Sequence, residues 1–453
     1  VEGAGSAASP LAFLWERFEA AGVAPALVAG DAVTSYGDLI QGAESWRTRL
    51  RAAGVRAGSV VLLKGDYRAS SVSTLLALLD LGAIVAPISP TSYEKLEDYA
   101  AIAEAEFIVE TLADEAIAAT GQTPANPLYE SLRAAGDSGL LIFSSGSTGR
   151  PKAALHAGSR LLDKFRTPRR NLRTLAFLLF DHIAGVDTLF YCLSNASTIV
   201  APGSRDPEAV CRAIAQGRAE VLPTAPSFLN LLLLSGAAER FDLSSLKIIT
   251  YGSEMMPQAT LERVAETFPG VQLIQRYGAS ELGSPRSQSR DNRSRWVRIG
   301  GDGVDWRVQD GKLEVRSRSA MIGYLNAPSP FTEDGYFITG DLVEVDGDYI
   351  RFLGRDSDVI NVGGQKVHPA EVEELLQQLD TIAEVAVYGE ANPILGAVVA
   401  CRVRPTQPDM AASALKMAIR AHLAEKVEPY KIPQRVVVTQ QPLSTDRGKL
   451  LRR

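Results

Sequence analysis

Leu140-Leu141-Ile142-Phe143 runs directly into Ser144-Ser145-Gly146-Ser147-Thr148-Gly149-Arg150-Pro151-Lys152. A short apolar run bounded by small polar residues has the length and composition of a buried strand. The loop behind it concentrates hydroxyls, glycines and two cations. Glycine lets successive backbone N–H groups converge on an anion, the Ser and Thr hydroxyls add donors, and Lys152 brings positive charge, a combination suited to a polyphosphate. The order of a Walker loop, Gly-x4-Gly-Lys-Ser/Thr, is absent. Taken alone, the run is equally a flexible Ser/Gly loop.

Outward from this junction the chain alternates. Residues 11–20 and 75–81 carry apolar residues at helical spacing, the second ending at Gly82, whereas 60–63 and 84–88 are apolar runs of strand length. The alternation continues through 246–250 and 271–274, each entering a Gly-containing turn, and predicts an α/β protein with ligand-binding side chains at strand ends. Residues 283–298 are polar and rich in Arg and Ser, and beyond them 313–315 and 349–353 predict a small all-β portion. After Gly354 the pattern predicts helices over 369–379 and 411–426 with strands at 385–388, 397–403 and 435–439, a compact α+β unit. The expected division is 1–353 for a large N-terminal domain of layered α/β sheets with a small β-barrel portion, and 354–453 for a small mobile C-terminal domain.

Size and composition bound the partners. At 453 residues the chain exceeds what one core holds, and with 46% hydrophobic and 22% charged residues it is neither disordered nor fibrous. The formal charge of −6 with dispersed basic residues gives no polyanion-binding surface, so no nucleic-acid partner is expected. Cys192, Cys211 and Cys401 are far apart and lack metal-ligand spacing, which argues against a disulfide framework and a zinc site. The longest apolar stretches, 75–79 and 229–234, are too short to cross a bilayer, and no basic segment leads an apolar run near the start. No membrane span is expected, and the cytoplasm is the expected compartment.

The quoted junction resembles the phosphate loop of the adenylate-forming superfamily: acyl-CoA synthetases, peptide-synthetase adenylation domains and luciferases. Further motifs follow in family order. Tyr277-Gly278-Ala279-Ser280-Glu281 resembles the Tyr-Gly-x-Thr/Ser-Glu element, Ile338-Thr339-Gly340-Asp341 the Thr-Gly-Asp element, and Gly354-Arg355-Asp356-Ser357-Asp358, with residues 361–374, the inter-domain element. Residues 442–449 resemble the tail that carries the family's catalytic lysine. Five ordered motifs, spread from about Thr34 to the terminus, are far more specific than one.

The resemblance implies a set of roles. Ser144, Ser145, Gly146, Ser147, Thr148, Gly149 and Lys152 would bind the ATP phosphates, Glu281 would hold Mg²⁺, and Ser280 would contact the α-phosphate. Tyr277 and Gly278, with Gly252, Ser253 and Glu254, would border adenine; Asp341, assisted by Arg355, would take the ribose hydroxyls. Lys449 would bridge the substrate carboxylate and the α-phosphate. Phe180, Asp181 and His182, with Gly252 and Gly278, would border the acyl pocket, with His182 between pocket and thiol route. Ser357 stands where relatives carry an Asp or Lys pivot, and Gly363, Gly364, Lys366 and Val367 would line the thiol tunnel after the small domain turns.

Each role has a plainer counterpart: an exposed acid for Glu281, core packing for Tyr277, a turn for Asp341, a core histidine for His182 and a β-turn for Gly363-Gly364. The chemistry favours the series, because a carboxylate attacking the α-phosphorus of ATP brings two anions together and needs a cation and donors to offset them. The implied activity is ATP-dependent activation of a small carboxylic acid, with transfer to coenzyme A. The phosphopantetheine of an acyl carrier protein is the alternative acceptor, and Asp181 leaves an amino-acid substrate open. A nucleotide-binding module without catalysis is the reading from another class, opposed by the joint presence of Glu281, Asp341 and Lys449. The short stretch between Glu281 and Gly300 favours a small or planar acid.

Overall fold

In the computed structural model, which describes residues 9–145, 150–301, 303–407, 409–443 and 452, the apolar run at the junction is the strand Gly139–Ser145. It pairs antiparallel with Pro151–Ala157, setting Ser144 opposite Lys152. Gly146, Ser147, Thr148 and Gly149, between these two strands, lie outside the described residues. This strand pair belongs to a seven-stranded sheet that continues through Ile84–Ile88, Val60–Lys64, Phe107–Glu110 and Ala116–Ala119, with Gly323–Tyr324 on its other edge.

A second seven-stranded sheet runs in the order Gln272–Gln275, Ile248–Tyr251, Val221–Thr224, Thr174–Leu175, Ile199–Ala201, Pro25–Ala29, Ala32–Ser35. The helices Ala69–Asp80, Ile183–Ser194 and Tyr36–Ala52 all contribute to the core that joins the two sheets. In Ala69–Asp80 every residue from Ser71 to Leu79 is buried, so this helix is apolar all round, as a helix packed on every side must be. It begins six residues before the predicted start, because Ser71, Ser73 and Thr74 are buried in hydrogen bonds that the apolar spacing does not register.

The helix Tyr36–Ala52 is absent from the sequence-based expectation. Its signal is a capping box: the Ser35 hydroxyl accepts from the Asp38 N–H at 3.1 Å and the Asp38 carboxylate accepts from the Ser35 N–H at 2.8 Å.

The all-β portion is an open half-barrel of six antiparallel strands in the order Arg286–Ser289, Val297–Gly300, Tyr349–Arg355, Phe337–Asp346, Lys312–Ser317, Val304–Gln309. Two of these strands, Arg286–Ser289 and Val297–Gly300, fall in or border the polar Arg/Ser-rich stretch, for which the sequence predicts no strand. Arg286–Ser289 alternates between exposed and half-buried residues, and an edge strand with one wet face carries no apolar run. Residues beyond Gly354 form a separate core on a sheet of Gln365–Val367, Ile360–Val362, Gly396–Pro405, Ile382–Asn392 and Arg435–Val438, covered by the helices Pro369–Leu376 and Ala412–Ala424. Among the described residues this unit meets the rest through polar contacts that include Asn230 donating to the Ala383 carbonyl at 2.9 Å, Arg295 paired with Glu374 at 2.9 Å and Lys312 paired with Asp356 at 2.7 Å. Among the described residues no helix is long and apolar enough to cross a membrane, and all three cysteines are buried and unbridged.

Candidate active site

The half-barrel brings two distant motifs together. Asp341 and Arg355 are opposite residues in the ladder between Phe337–Asp346 and Tyr349–Arg355, with Arg355 Nε 3.3 Å from Asp341 Oδ1. The Tyr277 hydroxyl, 64 residues away in sequence, donates to Asp341 Oδ2 at 3.0 Å. Tyr277 is held by a stacked contact with Phe352, ring centroids 5.0 Å apart at 16°. Burial raises the Asp341 carboxyl above its usual range, with Arg355 and Tyr277 pulling it back, and burial holds the Tyr277 phenol well above its own. Tyr277 is thus both the core residue and the motif residue.

The loop after Tyr277 is fixed from beneath. A Cβ on Gly278 would stand 2.8 Å from the Gly283 carbonyl and one on Gly252 would stand 2.7 Å from the Arg276 carbonyl, so only glycine lets these two segments approach. The Ser280 carbonyl lies 2.7 Å from Nε2 of His156, whose Nδ1 lies 3.2 Å from the Ser319 carbonyl. His156 is fully buried, with burial pushing its pKa down and the two carbonyls pulling it back, and its ring links the strand Pro151–Ala157 to the Ser280-Glu281 turn. Glu281 turns outward and its Oε1 accepts a hydrogen bond from Tyr324, and Lys152 Nζ lies 5.2 Å from the centre of the Tyr324 ring. Among the described residues Glu281 offers a carboxylate of the kind a hard divalent ion takes when its remaining ligands are phosphates and water.

Sequence reasoning missed His156 and Tyr324. His156 is one polar residue in an apolar strand and Tyr324 lies in a two-residue edge strand; neither gives a local signal.

His182 caps the helix Ile183–Ser194, its Nδ1 accepting from the Ala184 N–H at 3.3 Å. Asp181 is buried, accepting from the Ser92 hydroxyl at 2.7 Å while its N–H donates to Ser89 Oγ at 3.1 Å. Phe180 packs in the core edge-on against Tyr67, so core packing and not a pocket wall accounts for it. Ser253 takes a left-handed φ of 70°. Next to it Glu254 is half-buried, with Oε2 accepting from the Ser227 N–H at 2.9 Å and its buried Oε1 without a hydrogen-bond partner among the described residues. Burial, with Glu384 and Glu373 facing it from the C-terminal unit, raises its pKa to about 7.

In the C-terminal unit Ser357 is exposed in a short 3-10 turn, and Gly363 and Gly364 form the exposed hairpin turn between Ile360–Val362 and Gln365–Val367. Lys366 is exposed beside them. Val367 departs from the expected tunnel lining: it is fully buried in that unit's core, because the residue on the opposite face of a strand from Lys366 must point inward. Lys449 lies outside the described residues. Near it, Arg452 donates to Glu373 at 2.7 and 2.9 Å and to Asp358 at 2.6 Å, which ties the end of the chain to the inter-domain element.

Comparison with known proteins agrees with this geometry. The sequence model of the AMP-binding enzyme family matches residues 14–337 and that of the AMP-binding enzyme C-terminal domain matches 371–449. The indoleacetate–CoA ligase of Aromatoleum aromaticum is 29% identical, over 92% of this chain and 91% of its own. A feruloyl-CoA synthase of Amycolatopsis is 27% identical, over 93% of each chain. The crystal structure of an anthranilate CoA ligase in complex with anthranoyl-AMP superposes with a TM-score of 0.84 at 23% identity, covering 98% of this chain and 96% of the other. That likeness shows the fold.

Proposed function

Because the chain belongs to the AMP-binding enzyme family, we propose that it activates a small carboxylic acid with ATP and transfers the acyl group to the thiol of coenzyme A. It is an AMP-forming acid–thiol ligase, in keeping with the CoA ligases among its relatives. In the first step a carboxylate oxygen attacks the α-phosphorus of ATP, the bond to pyrophosphate breaks, and an acyl-adenylate results. In the second a thiol sulfur attacks the acyl carbon, AMP leaves, and the thiol proton passes to solvent or a nearby base.

The observation that carries this reading is the Tyr277–Asp341 hydrogen bond. It joins the acid suited to ribose hydroxyls to the first residue of the loop suited to base and phosphate. Asp341 and Arg355 orient the ribose, Tyr277 supports the base, and Ser280 meets the α-phosphate. Lys152 and the phosphate loop hold the outer phosphates. Glu281 is the residue that would hold Mg²⁺, which when bound offsets the charge of the phosphates. Lys449 bridges the two reacting anions. His182 stands at the acyl end.

The separate core of the C-terminal unit is compatible with a turn of that unit between the two half-reactions, about Ser357, bringing Gly363, Gly364 and Lys366 to the thiol. Carboxylate-dependent ATP–pyrophosphate exchange across aryl, short fatty, hydroxy and amino acids tests the first step. Exchange with one class is the expected result, and silence against all of them with ATP still bound would sink the reading. Product analysis with coenzyme A against a phosphopantetheinylated carrier protein then identifies the acceptor.

A further inference from the structure

The helix capped by His182 leaves one stripe outside the core: Ala184, Asp187, Thr188 and Tyr191 are its half-buried residues, and their spacing is that of a single helix face. About one and a half turns from His182, Asp187 pairs with two cations. Lys164 Nζ meets Oδ1, and Arg276 lies 3.6 Å from Oδ2. Lys164 also donates to the Ser284 carbonyl at 3.0 Å. Arg276 directly precedes Tyr277-Gly278, and its carbonyl abuts Gly252. The cluster is therefore enclosed by the segments that frame the acyl end of the site.

Among the described residues its charges do not balance. Two cations share one carboxylate, and the nearby Arg169 adds to the positive field; burial first, then Arg286 and Arg276, hold its guanidinium below the ordinary range. Burial likewise lowers Lys164 against the pull of Asp187. About a third of the Arg276 side chain stays accessible, so the guanidinium has donors to offer beyond Asp187. A cation kept partly desolvated is best completed by an anion, and a positive field repels an α-ammonium group.

Building on the acid–thiol ligase reading, we propose that the acid activated here carries a second carboxylate, remote from the one that attacks ATP, and that Arg276, positioned by Asp187 and Lys164, receives it. An uncharged aryl or alkyl acid would leave Arg276 without its anion and is discriminated against for that reason.

The test is ATP–pyrophosphate exchange on matched pairs, succinate against butyrate and isophthalate against benzoate. The expected result is a kcat/KM for the dicarboxylate higher by about tenfold or more, expressed mainly in KM. Arg276→Gln should erase the preference and Arg276→Lys should retain part of it. Equal or better exchange with butyrate and benzoate overturns the inference and leaves the ligase reading standing. Silence against every acid, with ATP still bound, overturns both. The preference of the wild-type enzyme separates these outcomes by itself, so a variant that does not fold leaves the test intact.

Discussion

Single side chains carry the first predictions. Asp341 is the acceptor for both Arg355 and Tyr277, so Asp341→Asn leaves an amide in place of the charge that holds them. A charge-assisted hydrogen bond is worth about 1.5–3 kcal/mol, which corresponds to a KM for ATP raised about 10- to 100-fold, measured by initial rates. Lys449→Ala should slow adenylate formation by about two to three orders of magnitude with ATP binding retained, read by single-turnover kinetics beside equilibrium binding. Wild-type adenylation by that variant would remove Lys449 from the chemistry. Asp341, Tyr277 and Glu281 were legible because motif spacing preserves them in order. His156 was not, because its role comes from two carbonyls, at Ser280 and Ser319, that approach only after folding.

At the scale of elements, the helix Ile183–Ser194 is placed by close backbone contact. A Cβ on Gly185 would stand 1.9 Å from the Leu179 carbonyl, and a backbone atom cannot step aside as a flexible side chain can. Gly185→Ala should cost about 3 kcal/mol of stability in urea unfolding and displace the His182 cap, lowering activity with it. Loss of stability under about 0.5 kcal/mol would show that the helix can shift to make room. Ser35→Ala, which removes one half of the capping box of Tyr36–Ala52, should cost only about 1 kcal/mol and leave activity alone. Apolar period predicted Ala12–Ala21, Ile84–Ile88 and Ala412–Ala424 to within a residue or two. It missed Tyr36–Ala52, whose buried residues are interleaved with charged ones, and Arg286–Ser289, whose pairing with Val297–Gly300 supplies what its side chains do not.

Across the whole molecule, Glu254 faces two acids of the C-terminal unit. Its Oε1 is buried near Glu373 and Glu384 and unpaired among the described residues, and Arg452 and Arg404 pair with those two neighbours. Its carboxyl binds a proton more tightly in the folded chain, at about 7, than in the unfolded chain, at 4.5. The stability it contributes is full below 4.5 and is lost as pH rises through about 7, a change of about 3 kcal/mol. Glu254→Gln should remove that part of the pH dependence in urea unfolding, and an unchanged profile between pH 5 and 8 would show that Glu254 is ionised in the native state.

The sequence by itself determined the class of fold, the order of the motifs and the chemistry they serve, since these depend on local patterns of apolar, glycine and charged residues. Only the tertiary structure decided that Tyr277 and Asp341 touch, that Phe180 and Val367 face cores, and that Lys164, Asp187 and Arg276 meet. Those contacts join residues far apart in the chain. They follow from how sheets twist, pack and register against one another, which no local pattern encodes.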